Sequence, residues 1–377
     1  MKFFPSYFRV FSVVYLLAST ALANDAAFNG AGAVVIPMKE NRIRMKKEVV
    51  KIKYRAGAEK ESDRDPRRDY AADIEFTFEN ASDKTVQVQI GFPDSHVDHT
   101  DSVLWTIQDF KARVGGKEIA TTHRDVDFTK SDRLGKILND SGFQGVYTWD
   151  VAFPPKTTIT VQNQYHFGGE TGFLNYTMLT GFPPEIANSI FWNRTKSKEG
   201  GWDFGNAIRD SVEYIVLTGL TWSGPIGEAD ISFDFSGDPR YYPHLMIPSP
   251  GGFKVRKRVV SWHFKNWTPT RNIEVNFAYP VTPEELETSA PIFDTFAQAQ
   301  AWVDFCKNGS VDRDFVTSTR DFVYAKYGHI FSSSAVTAAF KEFSWYEPKR
   351  TVTLESMSSD DQAIVKLLDK FAASLAE

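Results

Sequence analysis

The sequence is poor in three features that mark large classes of protein. Cys306 is the only cysteine among 377 residues, so no disulfide can form within the chain. No stretch reaches the ~18 consecutive apolar residues that a transmembrane helix needs. The formal net charge is −5, and an acidic chain offers no basic surface to nucleic acid. The composition therefore argues against a disulfide-stabilised scaffold, a helical membrane protein and a nucleic-acid-binding protein.

Short catalytic motifs are missing as well. The sequence contains no Gly-x-Ser-x-Gly nucleophile elbow, no Ser-x-x-Lys, no His-Glu-x-x-His and no phosphate-binding Gly-Lys-Ser/Thr loop. These motifs place a nucleophile, a metal or a phosphate in a fixed backbone setting. Without them the sequence favours a protein that is not an enzyme, and it indicates no cofactor.

The N-terminal segment has the pattern of an export signal. Lys2 and Arg9 give it a positive start, residues 10–18 form a short apolar core, and Ala21-Leu22-Ala23 is a small-x-small sequence. We therefore expect residues 1–23 to be a signal peptide. Cleavage after Ala23 would export the mature protein to the periplasm or the extracellular space.

Alternating apolar and polar residues dominate the first three quarters of the chain. The clearest case is Tyr70–Phe92, in which two alternating runs flank Asn80–Lys84. Side chains on a strand point to opposite faces with period two, so each run has one apolar face. The residues between the runs favour turns, which predicts a hairpin. Several more strands of this kind predict an antiparallel β-sandwich over residues 24–282.

The period of the pattern changes near residue 285. A Pro- and Glu-bearing linker, which we place at 283–297, comes first, and apolar residues then recur at helical spacing. That spacing covers residues 292–306, 314–327, 334–343 and 359–376. The predicted fold class is therefore mostly β with an α-helical C-terminal module: an antiparallel sandwich followed by a small helical domain over 298–372.

Part of the β region resembles a known family. Residues 218–230, which read TGLTWSGPIGEAD, and residues 262–269, which read WHFKNWTP, are similar to segments of a bacterial exported family of unknown function. The resemblance extends over residues 24–282. It implies export, and it transfers no catalytic residue.

A second resemblance lies in the helical region. Tyr324–Phe331 and Phe343–Pro348 are similar to the YARHG domain, an extracellular module. Lys326 and Tyr327 stand where that family has Arg and His, so a function that depends on this pair does not transfer. Gly328 follows a helical run and is a natural stop for a helix, because glycine adopts the left-handed conformation at low cost.

The same region is rich in aromatic and basic residues. Tyr and Trp are frequent in binding hot spots because they offer rigid contact area with a polar group. We therefore predict a binding surface made of six residues: Tyr324, Lys326, Tyr327, His329, Trp345 and Tyr346. Core packing is the competing interpretation for the aromatic ones. Phe331, Phe340 and Phe343 are the preferred core residues, since they are wholly apolar.

One dense group of metal-type ligands occurs at residues 94–101. Asp94, His96, Asp98 and His99 combine carboxylates with imidazoles, a set that suits zinc or manganese. The group follows Pro93, where the strand should end, and polar runs of this kind are usually solvated loops. We therefore predict no metal site there. We also expect Cys306 to be buried as a small apolar residue.

Two functions remain open at this stage. The first is an exported, periplasmic, non-catalytic scaffold whose C-terminal module binds a cell-envelope component or a protein partner. The second is an envelope hydrolase with its site in the loops at 94–101 or 168–205. Convergent His and carboxylate side chains in a pocket would favour the hydrolase, and an aromatic groove would favour binding.

Overall fold

A computed structural model describes most of the chain. It covers residues 21–23, 25–29, 34–55, 69–94, 96–99, 102–105, 107–128, 133–139, 143–168, 170–173, 208–238, 241–279, 292–293 and 295–375. Strands dominate up to residue 279, and most of the helices lie between 296 and 374. The predicted fold class, mostly β with a helical C-terminal module, is confirmed. We call the described residues up to 279 the β-part and residues 295–375 the helical part.

The described strands have two to twelve residues, and all but the last lie in the β-part. The strands are β1 (Ala21–Ala23), β2 (Ala26–Asn29), β3 (Val34–Pro37), β4 (Ile43–Tyr54), β5 (Asp69–Asn80), β6 (Val86–Asp94), β7 (His96–His99), β8 (Ser102–Trp105), β9 (Ile107–Val114), β10 (Lys117–Ile119), β11 (Thr122–Val126), β12 (Gly145–Phe153), β13 (Thr158–Gly168), β14 (Glu170–Phe173), β15 (Ile208–Ile215), β16 (Ile226–Asp234), β17 (Met246–Ser249), β18 (Lys254–Arg256), β19 (Val259–Trp267), β20 (Ile273–Tyr279) and β21 (Ser310–Val311). The helices are α1 (Arg133–Asn139), α2 (Phe296–Cys306), α3 (Arg313–Ala325), α4 (Ser334–Phe340) and α5 (Ser359–Ser374).

The described strands form one large sheet, two five-stranded sheets and a two-stranded sheet of β7 and β8. The large sheet has nine strands in the order β10-β9-β13-β5-β4-β16-β19-β18-β21. A five-stranded sheet joins β1, β15, β20 and β17, with β14 also on β15, while β11, β12, β6, β2 and β3 form a closed sheet. Most pairs are antiparallel, but β4 and β16 run parallel in the middle of the large sheet.

The predicted hairpin at Tyr70–Phe92 is wrong. Strand β5 pairs with β4 and β13, whereas β6 pairs with β12 and β2, so the two strands belong to different sheets. The connection is held by Asn80, whose buried side-chain amide donates to the carbonyl oxygens of Lys84 (2.8 Å), Phe153 (2.9 Å) and Pro154 (2.9 Å). The apolar faces of both strands are buried in the same core. The turn therefore links two layers instead of two neighbouring strands.

One continuous core joins the sheets. Phe76 and Phe78 of β5 are fully buried, and the Phe78 ring lies 4.5 Å from that of Trp222. Trp222 is buried, and its indole N–H donates to the carbonyl oxygen of Asp25 (2.7 Å). Cys306 is also buried, as predicted, and burial raises the pKa of its thiol.

The four C-terminal helices lie close to their predicted positions, and each begins at a polar cap. Thr295, Asp312, Ser333 and Ser358 each accept a hydrogen bond from the backbone N–H three residues later. Among the described helices, none combines the length and the apolar character needed to cross a membrane.

The helical part is joined to the large sheet by a strand. Strand β21 pairs in parallel with β18, and the amides of Ser310 and Asp312 donate to the carbonyl oxygens of Phe253 (2.8 Å) and Val255 (3.1 Å). The helices therefore extend from the edge of the nine-stranded sheet. The predicted limits 24–282, 283–297 and 298–372 stay a prediction.

Candidate functional site

A cavity of about 440 Å³ lies between α3, α4 and the part of the chain around β18. This volume is within the ~300–1,000 Å³ range of small-molecule sites. Its floor is apolar and combines both parts of the protein: Tyr241, Pro243, Phe315, Phe322, Phe340 and Phe343. Charged side chains surround it: Lys257, Arg258, Asp314, Asp321 and Glu342. We call this cavity the apolar cleft.

Aromatic contacts hold the walls of the apolar cleft together. Phe322 of α3 is buried, and its ring lies 5.5 Å from that of Tyr242 and 4.9 Å from that of His244, both in the β-part. It also lies 4.9 Å from Phe340 of α4. Contacts of this kind each contribute ~0.5–1.5 kcal/mol beyond the area that they bury. The cleft is therefore a joint product of the β-part and the helical part.

The mouth of the apolar cleft carries opposite charges that do not neutralise one another. Lys257 lies in the turn between β18 and β19 with φ +56°, and its backbone amide donates to Asp312 Oδ2 (2.7 Å), the residue that caps α3. Asp314 lies in the first turn of α3, and Glu342 follows α4. Within the described residues, the charged groups of Lys257, Asp314 and Glu342 have no ion-pair partner. These three charges are available to a ligand.

Tyr241 adds a buried polar group to the same cleft. Only 5% of Tyr241 is exposed, and its hydroxyl has no hydrogen-bond partner among the described residues. Burial raises the pKa of this hydroxyl, so Tyr241 is a neutral donor at physiological pH. The Arg258 guanidinium carbon lies 5.2 Å from the centre of the Tyr241 ring. A buried hydroxyl without a partner costs ~1–3 kcal/mol. Its oxygen is shielded from solvent, so Tyr241 lines the cleft with its ring and not with its hydroxyl.

A second cavity, of about 420 Å³, lies beside the first and shares Asp321 and Val336 with it. We call it the polar cleft. Arg320 donates to Asp321 (2.8 Å) and to Asp369 (3.0 Å). Burial raises the pKa of Asp321, against the lowering effect of Arg320. The polar cleft therefore holds its charged groups in internal pairs, unlike the mouth of the apolar cleft.

His329 lines the polar cleft in a defined tautomer. Its Nδ1 accepts the backbone N–H of Val352 (2.9 Å), so a neutral ring carries its proton on Nε2. Burial lowers the pKa of His329, which favours this neutral form. The ring lies between Tyr324 (5.1 Å) and Phe331 (4.8 Å). The polar cleft thus offers hydrogen-bonding groups in an aromatic setting.

The six residues predicted to bind separate into three groups. Tyr324 and His329 line the polar cleft. Lys326 and Tyr327 instead contact the buried carboxylate of Asp361 at the start of α5, with Lys326 Nζ at 3.1 Å and the Tyr327 hydroxyl donating to the same oxygen. They therefore hold α5 against the end of α3. Their role in binding stays a prediction.

Trp345 and Tyr346 form the third group. The Trp345 ring stacks on Phe343 with 5.4 Å between centres. Tyr346 is buried, and its hydroxyl donates to the carbonyl oxygen of His329 (2.6 Å). Phe343 is only partly buried and lines the apolar cleft. Tyr346 is therefore a core residue, whereas Phe343 packs against the core and also lines the cleft. A role of Trp345 and Tyr346 in binding stays a prediction.

Asp94 of the predicted polar group is a structural residue. It is fully buried, its Oδ1 accepts the backbone N–H of Ile107 (3.1 Å), and its Oδ2 lies 3.2 Å from His123 Nε2. His96 and His99 lie on β7, and their side chains fall outside the described residues. Most of the 168–205 loop is outside them too.

A different group of metal-type ligands lies on the large sheet. Single atoms of Glu228, Asp230 and His263 all lie within 4.8 Å of one another. They meet because Asp230 of β16 is paired with His263 of β19, a register that the sequence does not reveal. Lys47 of β4 lies 3.6 Å from Asp230 and 4.0 Å from Glu228. Its ammonium already supplies the positive charge that a metal would bring.

Comparison with known proteins identifies part of the helical region. Residues 306–373 match the YARHG domain. The resemblance carried by Tyr324–Phe331 is thereby confirmed, and this domain is an extracytoplasmic type. Helices α3 and α4, which wall both clefts, lie entirely within the YARHG domain.

Solved structures offer more distant similarities. A candidate nutrient binding protein from Legionella pneumophila is 14% identical over 94% of this chain and 99% of its own, with a TM-score of 0.48. An M1 zinc metallopeptidase from Deinococcus radiodurans is 8% identical over 64% of this chain, with a TM-score of 0.26. The match spans 43% of that enzyme's chain. No curated protein matches the chain.

Proposed function

We propose that this protein is an exported, periplasmic, non-catalytic binding protein whose YARHG domain and β-part together hold a cell-envelope component or a segment of a protein partner. The observation that carries the proposal is the apolar cleft. It has the volume of a ligand site, an aromatic floor from both parts of the chain, and unpaired charges at its mouth.

The β-part has a larger role in this proposal than that of a passive scaffold. Tyr241, Pro243, Lys257 and Arg258 contribute one wall of the apolar cleft. The YARHG domain contributes the opposite wall through α3 and α4. A ligand in the cleft would contact both, so binding is a property of the whole chain.

Binding is favoured over hydrolysis by the state of the titratable groups. Asp321 is paired with Arg320, and His329 accepts a backbone hydrogen bond through Nδ1. Asp94 is likewise committed to Ile107 and His123. A hydrolytic site needs a general base with a free lone pair directed at water or at a nucleophile. Each of these three groups has a structural partner instead, and the two unpaired carboxylates of the apolar cleft, Asp314 and Glu342, are exposed surface groups.

The proposal is tested by filling the apolar cleft. Ala339 lines it and is exposed on α4, so Ala339→Trp places an indole in the cavity. Ala338→Trp is the matched control, because Ala338 is an exposed neighbour that is not among the lining residues. The probe is 1-anilinonaphthalene-8-sulfonate, which combines apolar rings with one negative charge. Its fluorescence is measured on the full chain.

We expect saturable probe binding by the wild-type protein and by Ala338→Trp, and a loss of that binding in Ala339→Trp. The same three proteins are then screened for thermal stabilisation by envelope extracts. Stabilisation should follow the same pattern, since a ligand stabilises the state that binds it. A wild-type protein that binds no probe, or equal binding by both variants, would refute the proposal.

A further inference from the structure

We infer that the ligand of the apolar cleft is a short apolar peptide with both termini free, held by its side chains on the aromatic floor and by its two ends at the charged mouth. This inference rests on the proposed function and specifies its ligand. Two independent features of the cleft lead to it: the opposite charges on its different elements, and its volume.

The positive and negative groups of the cleft lie on different elements. The positive groups, Lys257 and Arg258, lie in the β18–β19 turn. The negative groups with no partner, Asp314 and Glu342, lie at α3 and just after α4. Lys257 and Asp314 border one cavity without pairing with each other. A ligand that carries one carboxylate and one ammonium, separated by a short backbone, would satisfy both sides.

Lys257 and Arg258 form the positive side of the cleft. Hydrogen bonds from charged donors to a carboxylate are among the stronger ones in proteins. We therefore assign the peptide's C-terminus to Lys257 and Arg258 and its N-terminus to Asp314 and Glu342. The Arg258 guanidinium also lies over the ring of Tyr241 at 5.2 Å, but the Tyr241 hydroxyl is buried away from the open cavity.

The volume and the floor set the size and character of the peptide. A cavity of about 440 Å³ equals about fifteen water molecules at ~30 Å³ each. That space suits two apolar residues better than one. A singly charged amphiphile such as a fatty acid would leave Asp314 and Glu342 beside it without compensation. The charge pattern thus favours a peptide over a lipid.

The experiment compares Leu-Phe with its blocked forms on the full chain by isothermal titration calorimetry. The C-terminal amide and the N-acetylated form each remove one end charge. We expect each blocked form to bind about tenfold more weakly, which is the effect of one charge-assisted hydrogen bond. Free leucine, which has both charges but one side chain, should bind more weakly than the dipeptide.

Variants at the two sides identify which end lies where. In Lys257→Gln the difference between the free dipeptide and its amide should shrink, with Arg258 as the remaining positive group, while the penalty for N-acetylation persists. In Asp314→Asn the difference between the free and the acetylated dipeptide should shrink, with Glu342 as the remaining acidic group. Lys254→Gln and Asp360→Asn are matched controls, because both residues are exposed and do not line the cleft. These two control variants should leave the loss of affinity caused by amidation or by N-acetylation unchanged.

The outcomes separate this inference from the proposed function. If Ala339→Trp abolishes probe binding but the wild-type protein does not bind Leu-Phe, the apolar cleft is a binding site but its ligand is not a peptide. Equal binding of free and blocked Leu-Phe overturns the role of the two charges. If leucine binds as tightly as the dipeptide, the ligand class is a free amino acid and the peptide inference is wrong. Absence of both probe and peptide binding refutes the cleft itself.

Discussion

Buried acidic side chains show how single residues set the response of this protein to pH. Glu48 of β4 is fully buried between the large sheet and β15, and the Tyr214 hydroxyl donates to it (2.6 Å). Burial raises the pKa of Glu48 to about 7, although the Tyr214 hydrogen bond opposes this. The folded protein therefore keeps a proton on Glu48 that the unfolded chain releases above the ordinary value of 4.5.

Glu48 should make the protein less stable as pH rises. Above the unfolded pKa the folded state binds more protons, so the free energy of unfolding falls between pH 4.5 and about 7. At ~1.4 kcal/mol per pKa unit, the loss is about 3 kcal/mol. Glu48→Gln should abolish this part of the pH dependence in urea unfolding at pH 5 and pH 8. Asp73→Asn, at an exposed position on β5, is the control. An unchanged pH dependence in Glu48→Gln would contradict the argument.

Gly328 shows the constraint that a single glycine places on the YARHG domain. It follows α3 with φ +72°, and a Cβ at this position would lie 2.5 Å from the carbonyl oxygen of Glu347. Gly328→Ala therefore combines a left-handed backbone with a clash, and we expect it to lower the free energy of unfolding by at least ~2 kcal/mol.

The clash at Gly328 can be separated from the backbone effect. Gly224 has a similar φ of +69°, but a Cβ there meets nothing within 4 Å. Gly224→Ala should therefore cost only the ~1 kcal/mol of the left-handed conformation. Both variants are compared by urea unfolding at one pH. Equal losses would mean that the approach of Glu347 does not matter.

At the scale of elements, the sequence predicted strands better than their partners. The alternating runs of Tyr70–Phe92 are both strands, and the four C-terminal helices lie close to their predicted positions. Alternation reports that one face of a strand is buried, but it does not report whether two buried faces lie side by side or opposite each other. The decisive group is the amide of Asn80, which bonds backbone carbonyls more than seventy residues away.

The same limit applies to the candidate site. Two of the predicted binding residues, Tyr324 and His329, line the polar cleft. They were chosen because the YARHG resemblance pointed to that segment. Tyr241 follows β16 and Lys257 lies in the turn between β18 and β19, both far away in the sequence. The packing of the β-part against α3 brings them to the cleft. The spacing of residues in the sequence does not reveal such a contact.

The layer-connecting turn should depend on Asn80. Asn80→Ala removes the three hydrogen bonds that the amide donates and the two that it accepts from Ser82, and it leaves the buried carbonyl oxygen of Phe153 without this donor. We expect a loss of about 2–3 kcal/mol in the free energy of unfolding, since an unsatisfied buried acceptor costs ~1–3 kcal/mol. Thr85→Ala, at an exposed position after the same turn, is the control and should cost less than about 1 kcal/mol. A small effect of Asn80→Ala would mean that the turn forms without its side chain.

At the scale of the whole molecule, the YARHG domain and the β-part share one core. Phe322 of α3 contacts Tyr242 and His244, and β21 extends the nine-stranded sheet through β18. All of these aromatic residues belong to a single buried cluster or touch it. A helical part that was joined to the sheets only by a linker would unfold independently of them. A shared core instead couples its unfolding to that of the sheet.

The full chain should therefore unfold in one transition. Helix loss, measured by far-ultraviolet circular dichroism, and loss of aromatic packing, measured in the near ultraviolet, should share one midpoint in urea. Phe322→Ala should lower that midpoint for both signals together, by ~3–5 kcal/mol of unfolding free energy, because Phe322 is buried at the junction. Val365→Ala, buried within α5, is the control for a core residue inside the helical part.

If Phe322→Ala splits the transition, so that the helices melt first while the aromatic signal of the sheets persists, the two parts are separate folding units. The cleft between them would then open before the sheet unfolds, and ligand binding would stabilise only the earlier transition.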